Sequence, residues 1–297
     1  MLKKITNLLS GIKNSQSPFK YFISRLFVHF PALFKNFYFT RKNYKLNMSP
    51  SALAVGMYIE GDKHLDFDEE FLKTLIRPND YFIDVGANIG HISISLKKHI
   101  PSINCYAIEA NPKTFNVLNK NINLNNININ SINCAVGDID NSNVKFQDSD
   151  SDDCNSVISE RMIQKKNEDL YVVNSNKELT IDVKTLENIT NHFSISKNIR
   201  LIKIDTEGYE FFVLKGSKNI LKRTEMIYFE YWEKLTKKYE YTSKEIFSFL
   251  KNEGFNIYEV PNNLDIKNFN INFLKPISND ISYHDNQNML AINKQLL

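Results

Sequence analysis

Three short segments combine acidic side chains and glycines in a pattern that suits a nucleoside-type ligand. The first is Asp84-Val85-Gly86-Ala87-Asn88-Ile89-Gly90, a turn between a buried strand and a helix. Gly86 and Gly90 permit a tight turn and a close approach of backbone to ligand, and the helix N-terminus offers free N–H groups. The second is Glu109, which ends the next predicted strand and could accept hydrogen bonds from ribose hydroxyls.

The third segment, Asp205-Thr206-Glu207-Gly208, ends the buried run RLIKID. The spacing D-x-G-x-x-x-G of the first segment differs from the dinucleotide fingerprint G-x-G-x-x-G. The combination therefore indicates an adenosine-type cofactor without a pyrophosphate, and it disfavours a nicotinamide dehydrogenase. Structural alternatives remain open: a plain strand-to-helix turn for the glycines, a helix cap for Asp205, and first-turn acids for Glu207 and Glu210.

The elements that position these segments alternate between strands and helices from Tyr81 onward. The predicted strands are YFIDV, CYAIEA, ININSINCAV, TIDV, RLIKID, MIYFEYW, FNIYEV and NMLAI, and the helices between them are 91–99, 112–123, 186–191, 208–221 and 244–253. Such alternation predicts an α/β fold with a mostly parallel sheet and helices on both faces. Because ligands bind at the carboxyl ends of such strands, the three segments should meet at one edge. Glu230, which ends MIYFE, should face the same edge, and His91 follows the glycine turn.

The N-terminal part has a different pattern. Apolar residues at helical spacing predict an amphipathic helix, namely Phe19, Phe22, Ile23, Leu26, Phe27 and Phe30. Pro31 suits the start of a second helix, with Leu33, Phe34, Phe37 and Tyr38 as its apolar residues. Residues 46–64 are interpreted as a short strand or loop, followed by a helix over 67–76.

Charge divides the chain at about residue 60. The formal net charge is +3, yet residues 1–59 hold nine Lys/Arg and no Asp or Glu. The rest of the chain therefore holds 28 basic and 34 acidic residues, a balance of −6. A nucleic-acid binder that is basic throughout is disfavoured. We predict a basic aromatic extension over 1–60 and a second domain over 61–297. The extension could pack on the body, form a homodimer through residues 1–45, or contact a membrane surface peripherally.

The cysteines, the hydrophobic runs and one acidic run indicate the cellular location and the metal content to expect. Cys105, Cys134 and Cys154 form no C-x-x-C pair, which disfavours structural zinc and favours a reducing compartment. The sequence offers no convincing transmembrane run or signal peptide, so a cytoplasmic location is expected, with peripheral contact at a membrane surface as the open alternative. The acidic run 148–153 fails the EF-hand pattern and is interpreted as a solvated loop.

Several motifs together resemble a known family. FIDVGANIG, AIEANP, INCAVGD, LIKIDTEGYEFFVLKG and NMLAI look like the FkbM-type S-adenosylmethionine-dependent methyltransferases, over about residues 66–293. The resemblance implies a class I, Rossmann-like methyltransferase sandwich whose seven-stranded sheet has one antiparallel strand. It also implies S-adenosyl-L-methionine as cofactor and O-methylation of a sugar, glycan or related natural product.

The resemblance also implies roles for individual residues, carried over position by position. The methionine part of the cofactor would be surrounded by Asp84, Gly86, Asn88 and Gly90. Glu109 would hold the ribose, and Ala135, Val136 and Asp138 would border the adenine. Asp205 and Glu207 would face the reaction centre as catalytic residues, and His91 and Glu230 are predicted to contact the acceptor.

The residues suggest a mechanism in which a carboxylate takes the proton of an acceptor hydroxyl. A divalent cation held by Asp205 and Glu207 is the alternative, but two carboxylates are few ligands for one, so no metal is predicted. Competing functions are methylation of a nucleic-acid or nitrogen acceptor and a non-catalytic protein that only binds the cofactor. The −6 balance and the absence of an N/D-P-P-Y/F motif disfavour the nucleic acid. Acceptor specificity should reside in 138–180 and after Val260, where no motif identifies the acceptor or the methylated atom.

Overall fold

A seven-stranded sheet forms the centre of the structure, a computed structural model that describes residues 13, 15, 17–34, 36–49, 51–63, 66–148, 156–157, 178–261, 264–277 and 286–296. The helices are, in chain order, α1 (Pro18–His29), α2 (Ala52–Glu60), α3 (Asp66–Leu75), α4 (His91–His99), α5 (Pro112–Leu124), α6 (Leu186–His192), α7 (Glu210–Lys215), α8 (Lys218–Leu221), α9 (Glu233–Thr236) and α10 (Ser243–Asn252). The strands are β1 (Tyr38–Arg41), β2 (Tyr44–Asn47), β3 (Tyr81–Val85), β4 (Asn104–Glu109), β5 (Asn130–Asn133), β6 (Ala135–Val136), β7 (Asn141–Gln147), β8 (Ser156–Val157), β9 (Glu178–Lys184), β10 (Ile199–Ile204), β11 (Thr224–Tyr231), β12 (Phe255–Val260) and β13 (Gln287–Asn293).

The central sheet has the order β12-β13-β11-β10-β3-β4-β5. Neighbouring strands run parallel except β13, which is antiparallel to both β11 and β12. The predicted α/β architecture with one antiparallel strand is therefore confirmed. Each face of the sheet packs against its own apolar core: Leu201 belongs to one, and Ile202 and Ile204 to the other. Strands buried on both faces explain why these runs are almost continuously apolar.

A second, four-stranded sheet with the order β6-β9-β7-β8 lies beside the first. The run ININSINCAV, predicted as one strand, is divided between the two sheets: β5 pairs with β4, and β6 pairs with β9. The Asn133 side chain marks the division, since its Nδ2 donates to the carbonyl oxygens of Glu109 (2.8 Å) and Ala110 (3.0 Å). The apolar residues of this run predict a strand, but they do not predict that the chain passes from the first sheet to the second within it.

The N-terminal elements differ from two predictions. The second helix at Pro31 is only a 3-10 turn, Pro31–Phe34, and the chain then enters the β1–β2 hairpin. Residues 46–64, interpreted as strand or loop, contain helix α2. Ser51 caps α2, because its Oγ accepts a hydrogen bond from Ala54 N at 2.9 Å, and such a cap satisfies an otherwise free helix N–H.

The N-terminal segment packs on the same core as the central sheet. Phe27 and Leu46 are buried in the cluster that also contains Phe82 and Leu201. The hairpin is fixed to α5 through backbone N–H groups: Lys45 N donates to Asn125 Oδ1 (2.8 Å), and Asn47 N donates to Asn121 Oδ1 (2.6 Å).

A buried ion pair also fixes this segment. Arg41 pairs with Glu69, which in turn accepts a hydrogen bond from Tyr44 Oη at 2.8 Å. Arg41 and Glu69 are both fully buried, and breaking such a pair leaves an uncompensated charge. The hairpin and α3 are therefore held in one arrangement. Within the described part of the chain, no helix is long and apolar enough to cross a membrane.

The predicted helix 208–221 is interrupted. It forms α7 and α8, with Gly216 between them. A Cβ on Gly216 would lie 2.0 Å from the carbonyl oxygen of Gly137, so the backbone after β6 approaches this point closely. The acidic run 148–153 also differs from its interpretation in part, because Asp148 is buried and paired with Lys113 and Asn111. The rest of that run, and Cys154, lie outside the described residues.

Candidate active site

The turn after β3 is in direct contact with the end of β10. Gly86 has φ +76°, and a Cβ at this position would lie 1.8 Å from the carbonyl oxygen of Asp205. The same turn is held to β4, because Gly86 N and Ala87 N both donate to Ile108 O at 3.0 and 2.9 Å. The sequence prediction that the first and third segments meet at one sheet edge is therefore seen in the structure, and glycine at position 86 is what permits it.

Glu109 connects the glycine turn to the start of α5. Its Oε2 accepts a hydrogen bond from Asn88 N (2.9 Å), and its Oε1 accepts one from Asn111 N (2.8 Å). The residue is buried, with 8% of its surface exposed. These two bonds fix the carboxylate between the glycine turn and the start of α5. Ribose binding by Glu109 stays a prediction, to which the structure adds a role in shaping the turn.

Asn88 presents an acceptor that suits a ligand N–H. Its backbone has φ +50°, and its Oδ1 is buried with no hydrogen-bond partner among the residues that the structure describes. Buried polar atoms are nearly always hydrogen-bonded. An amino group bound beside the turn would satisfy this oxygen, and the methionine part of the cofactor implied by the sequence carries such a group. The residues after β3 therefore fit that group.

Lys203, which the sequence analysis did not single out, is the central cation of the site. It lies on β10, is 6% exposed, and its Nζ is 3.3 Å from Asp84 Oδ1 and 3.2 Å from Asp205 Oδ2. The same Nζ donates to Gly86 O at 3.3 Å. Burial acts to lower the pKa of Lys203, but the charges of Asp205 and Asp84 outweigh it and raise the pKa above its usual value.

A signal for Lys203 was present in the sequence. A lysine in the apolar run RLIKID is expected to be buried, and a buried lysine almost always has a charged partner. The register places Asp84 and Lys203 directly opposite each other on neighbouring parallel strands. Both carboxylate oxygens of the buried Asp84 therefore have a partner. Oδ1 lies beside Lys203 Nζ, and Oδ2 accepts a hydrogen bond from Ser93 Oγ at 2.7 Å.

Three predicted residues form a carboxylate cluster at the ends of β10 and β11: Asp205, Glu207 and Glu230. The Asp205 side chain is 44% exposed. Burial, together with the charges of Asp205 and Glu230, raises the pKa of Glu207 well above its usual range, against the opposing effect of Lys238. Burial and the charge of Asp205 raise the pKa of Glu230 to about 8. Carboxyl groups that titrate near neutral pH are suited to proton transfer.

Glu207 is held in place by its neighbour Glu210. Glu207 has φ +57°, a conformation that is strained for a residue with a side chain. The Oε1 of Glu210 accepts hydrogen bonds from Thr206 N (2.9 Å), Thr206 Oγ1 (3.1 Å) and Gly208 N (3.2 Å), while its Oε2 accepts one from Tyr241 Oη (3.1 Å). Glu210 is therefore a buried group that shapes the turn, which supports its structural interpretation.

Asp68, on α3, is a further carboxylate on this side of the sheet that the sequence analysis missed. Its Oδ1 accepts hydrogen bonds from Tyr228 Oη (2.5 Å) and Asn288 Nδ2 (3.2 Å). Burial raises the pKa of Asp68, and the nearby charge of Asp205 adds to that rise. Asp68 occurs in an ordinary helical run, DFDEEF, so only the packing of α3 on the sheet identifies it.

The remaining predicted residues lie around this centre. Ala135 and Val136 form the buried strand β6, and Asp138 follows it with an ion pair to Lys215 Nζ at 3.4 Å. His91 begins α4 and is buried. Their roles toward adenine and acceptor stay predictions. Among the described residues, no group of three or more His, Cys, Asp or Glu side chains is arranged to hold a metal ion.

Comparison with known proteins finds a family model and a similar protein sequence. The family model described as Methyltransferase FkbM domain matches residues 84–257, more than half of the chain. A protein from Beauveria bassiana named Methyltransferase 1 is 29% identical over 153 residues, which cover 47% of this chain and 59% of that protein. The chain thus spans about three fifths of the length of this relative.

Two solved structures are similar at low sequence identity. One is the precorrin-6y C5,15-methyltransferase from Geobacter metallireducens, with a TM-score of 0.41 and 10% identity over 76% of this chain and 86% of that one. The other is TYW2 from M. jannaschii in complex with AdoMet, with a TM-score of 0.41 and 14% identity over 86% of this chain and 83% of that one.

Proposed function

This chain belongs to the FkbM family of S-adenosylmethionine-dependent methyltransferases, and we propose that it is an O-methyltransferase acting on a hydroxyl of a sugar, a glycan or a related natural product. The observation that carries this proposal is the cluster of Asp205, Glu207 and Glu230, two of which have raised pKa values. A hydroxyl needs a base to take its proton as the methyl group arrives, and these carboxylates supply one.

The cofactor would be held by the residues around the β3 and β4 strand ends. Asp84, Gly86, Asn88 and Gly90 would contact its methionine part, and Glu109 its ribose; Ala135, Val136 and Asp138 would border the adenine. Bound S-adenosylmethionine supplies a methyl group that is already activated on a sulfonium centre. The protein then has to orient the acceptor, exclude water and remove a proton.

We assign proton removal to Glu207. Its raised pKa makes its carboxylate a stronger base than an ordinary glutamate, and the strained backbone held by Glu210 fixes its position. Asp205 is ion-paired with Lys203, so it is suited to accept a hydrogen bond from the acceptor and orient it. Glu230 and His91 are proposed to contact the acceptor.

The charge of the site supports a neutral hydroxyl acceptor. Several carboxylates that face one space can accept hydrogen bonds from neighbouring hydroxyls of a saccharide. A nucleic acid is disfavoured because its binding depends on Lys and Arg, whereas residues 60–297 carry a balance of −6. A nitrogen acceptor and a cofactor-binding protein without turnover are the alternatives that experiment has to distinguish.

The test is transfer of labelled methyl from S-adenosylmethionine into fractionated cell extract. Counts in saccharides or small hydroxylated molecules support the proposal, whereas counts only in RNA, in protein or at nitrogen contradict it. We expect Glu207→Gln to lower kcat by about 10²–10⁴-fold with cofactor affinity retained, and to abolish the rise in rate with pH. Glu178→Gln, an exposed glutamate on β9, is the matched control. Unchanged turnover in Asp205→Asn would remove Asp205 from the mechanism.

We also propose a cytoplasmic location. Cys105 and Cys134 are free and buried, and burial raises the pKa of each thiol to about 12. Unreactive, unpaired thiols agree with a reducing compartment. Alkylation of the denatured protein, taken directly from cells, should label all three cysteines without reductant, and labelling that requires reductant would contradict the proposal.

A further inference from the structure

The large apolar side chains that stay exposed are concentrated in one segment. Within the described residues there are eight of them, and six lie between positions 19 and 38. With their exposed fractions they are Phe19 (74%), Phe22 (40%), Val28 (38%), Phe30 (56%), Phe37 (36%) and Tyr38 (46%). Single exposed apolar residues are normal on protein surfaces, but a concentration of aromatic ones marks an interaction site.

Helix α1 and the residue after it leave half of the predicted apolar stripe exposed. Phe19 and Phe22 lie one turn apart, and Phe30 follows the last residue of the helix. Ser24 and Phe27 lie on another side of α1 and are buried, at 0% and 2% exposure. We call Phe19, Phe22 and Phe30 the outer aromatic face. The helix is therefore anchored through Phe27, while the outer aromatic face stays open to another partner.

The segment that carries the outer aromatic face is positively charged in sequence. Residues 1–59 contain nine Lys/Arg and no Asp or Glu, and the first acidic residue is Glu60 at the end of α2. Lys13 precedes α1 and is exposed. Lys45 is exposed as well, with its Nζ 5.1 Å from the ring centre of Tyr38. Aromatic side chains flanked by lysines are the composition of segments that lie in an anionic membrane interface.

We propose that the outer aromatic face, with Lys13 and Lys45, is a docking surface for an anionic lipid bilayer. The aromatic rings enter the region between headgroups and acyl chains, and the lysines meet the lipid phosphates. A second copy of the chain fits less well, because a two-fold interface places the same patch on both subunits. Such an interface would bring two segments of like positive charge together. This inference is independent of the acceptor proposed above.

Vesicle flotation of the full chain tests the proposal. The probes are vesicles of pure phosphatidylcholine and vesicles with about 30% phosphatidylglycerol. We expect flotation only with the anionic vesicles, weakened by added salt because charges are screened. Folded protein that stays unbound to anionic vesicles would overturn the proposal. So would a dimer in solution that is lost when the outer aromatic face is changed, since that face would then be covered by a second copy.

Matched variants assign the binding to particular residues. We expect Phe19→Ser/Phe22→Ser/Phe30→Ser to lower the partition coefficient at least about tenfold, since each variant position loses the favourable burial of an aromatic ring. Phe273→Ser changes an equally exposed phenylalanine elsewhere (66%) and should leave flotation unchanged. If the triple variant floats like the parent chain, the lipid contact lies elsewhere and the proposal fails.

A second pair of variants tests the charge without changing the aromatic side chains. Lys13→Gln/Lys45→Gln should lower binding by about fivefold for each lysine at low salt. The control, Lys197→Gln/Lys222→Gln, changes two exposed lysines of the catalytic part and should bind like the parent. Equal losses in both pairs would indicate nonspecific attraction and contradict a defined docking surface. Circular dichroism and the melting temperature of each variant show that it is folded.

Discussion

Replacing Lys203 by methionine tests whether one buried cation holds the two halves of the active site together. The side chain is nearly isosteric and keeps the apolar stem, but it removes the charge that lies 3.3 Å from Asp84 Oδ1 and 3.2 Å from Asp205 Oδ2. Asp84 is fully buried, whereas Asp205 is 44% exposed. Most of the expected loss therefore comes from Asp84, which water cannot reach.

The magnitude follows from this difference in exposure. Removing one partner of a buried ion pair costs about 3–5 kcal/mol, because the other charge is left uncompensated. The exposed partner adds little, since surface ion pairs contribute about 0–1 kcal/mol. We expect Lys203→Met to lower the free energy of unfolding by about 3 kcal/mol. For a chain of this size that corresponds to a fall of roughly 6 °C or more in Tm.

The assay is thermal unfolding of the protein without ligand, and a second substitution identifies the cause. Adding Asp84→Asn to Lys203→Met removes the orphaned charge while an amide oxygen can still accept from Ser93 Oγ, so the double variant should melt above Lys203→Met. The control is Lys145→Met, which breaks a 3.3 Å ion pair with Glu178 whose side chains are both more than half exposed, and it should change Tm by less than about 2 °C. Equal melting of Lys203→Met and the parent, or no recovery in the double variant, would refute the reasoning.

The raised pKa of Lys203 also predicts how its contribution to stability changes with pH. Because the pKa of Lys203 is raised in the folded state, its contribution is fully present below the ordinary lysine pKa of about 10.4. It is lost as the pH rises through the raised value. The difference in Tm between parent and Lys203→Met should therefore stay constant from neutral pH to about pH 10 and narrow only above it.

Three further outcomes are expected. Gly86→Ala should destabilise the protein far more than Gly254→Ala in thermal melts: both have positive φ, but only at Gly86 would the Cβ lie against backbone, at 1.8 Å. Because Glu230 has a pKa of about 8 when folded, the folded state holds a proton that the unfolded chain has lost. The free energy of unfolding should therefore fall between about pH 4.5 and 8, and less so in Glu230→Gln; identical pH profiles would contradict this assignment. Glu109→Ala should lose S-adenosylmethionine binding by at least about tenfold in calorimetry, and retained affinity would exclude its proposed role.

The elements that the sequence predicts correctly are those whose signal lies within a few neighbouring residues. The strands at Tyr81–Val85 and Ile199–Ile204 and the glycine turn are predicted from short runs, because apolar content and the φ of Gly86 are properties of a few neighbouring residues. The second helix predicted at Pro31 is wrong, because the β1–β2 hairpin that follows gains its partners from Asn121 and Asn125, far along the chain. The strand or loop predicted at 46–64 is also wrong, although the Ser51 cap of α2 is a local signal.

The candidate site shows the same division. Asp205 and Glu230 were predicted because they lie at strand ends, and strand ends of a parallel sheet meet at one edge. The family resemblance implied a reaction centre at Asp205 and Glu207. Lys203 carried a local signal, a lysine in an apolar run, but its partners depend on the register between β3 and β10. Asp68 carried no signal, since its contacts to Tyr228 and Asn288 arise only when α3 packs on the sheet.

The sequence by itself determined the alternation of elements, the glycine turn, the acidic strand ends and the family, because these depend on residue type and short spacing. Only the tertiary structure decided which charges meet: Lys203 with Asp84 and Asp205, Glu210 with the turn around Glu207, and Phe27 inward while Phe19 and Phe22 stay outside. The physical reason is that ion pairing, pKa and burial depend on distances between residues far apart in the chain. Those distances exist only after the strands have paired and the helices have packed.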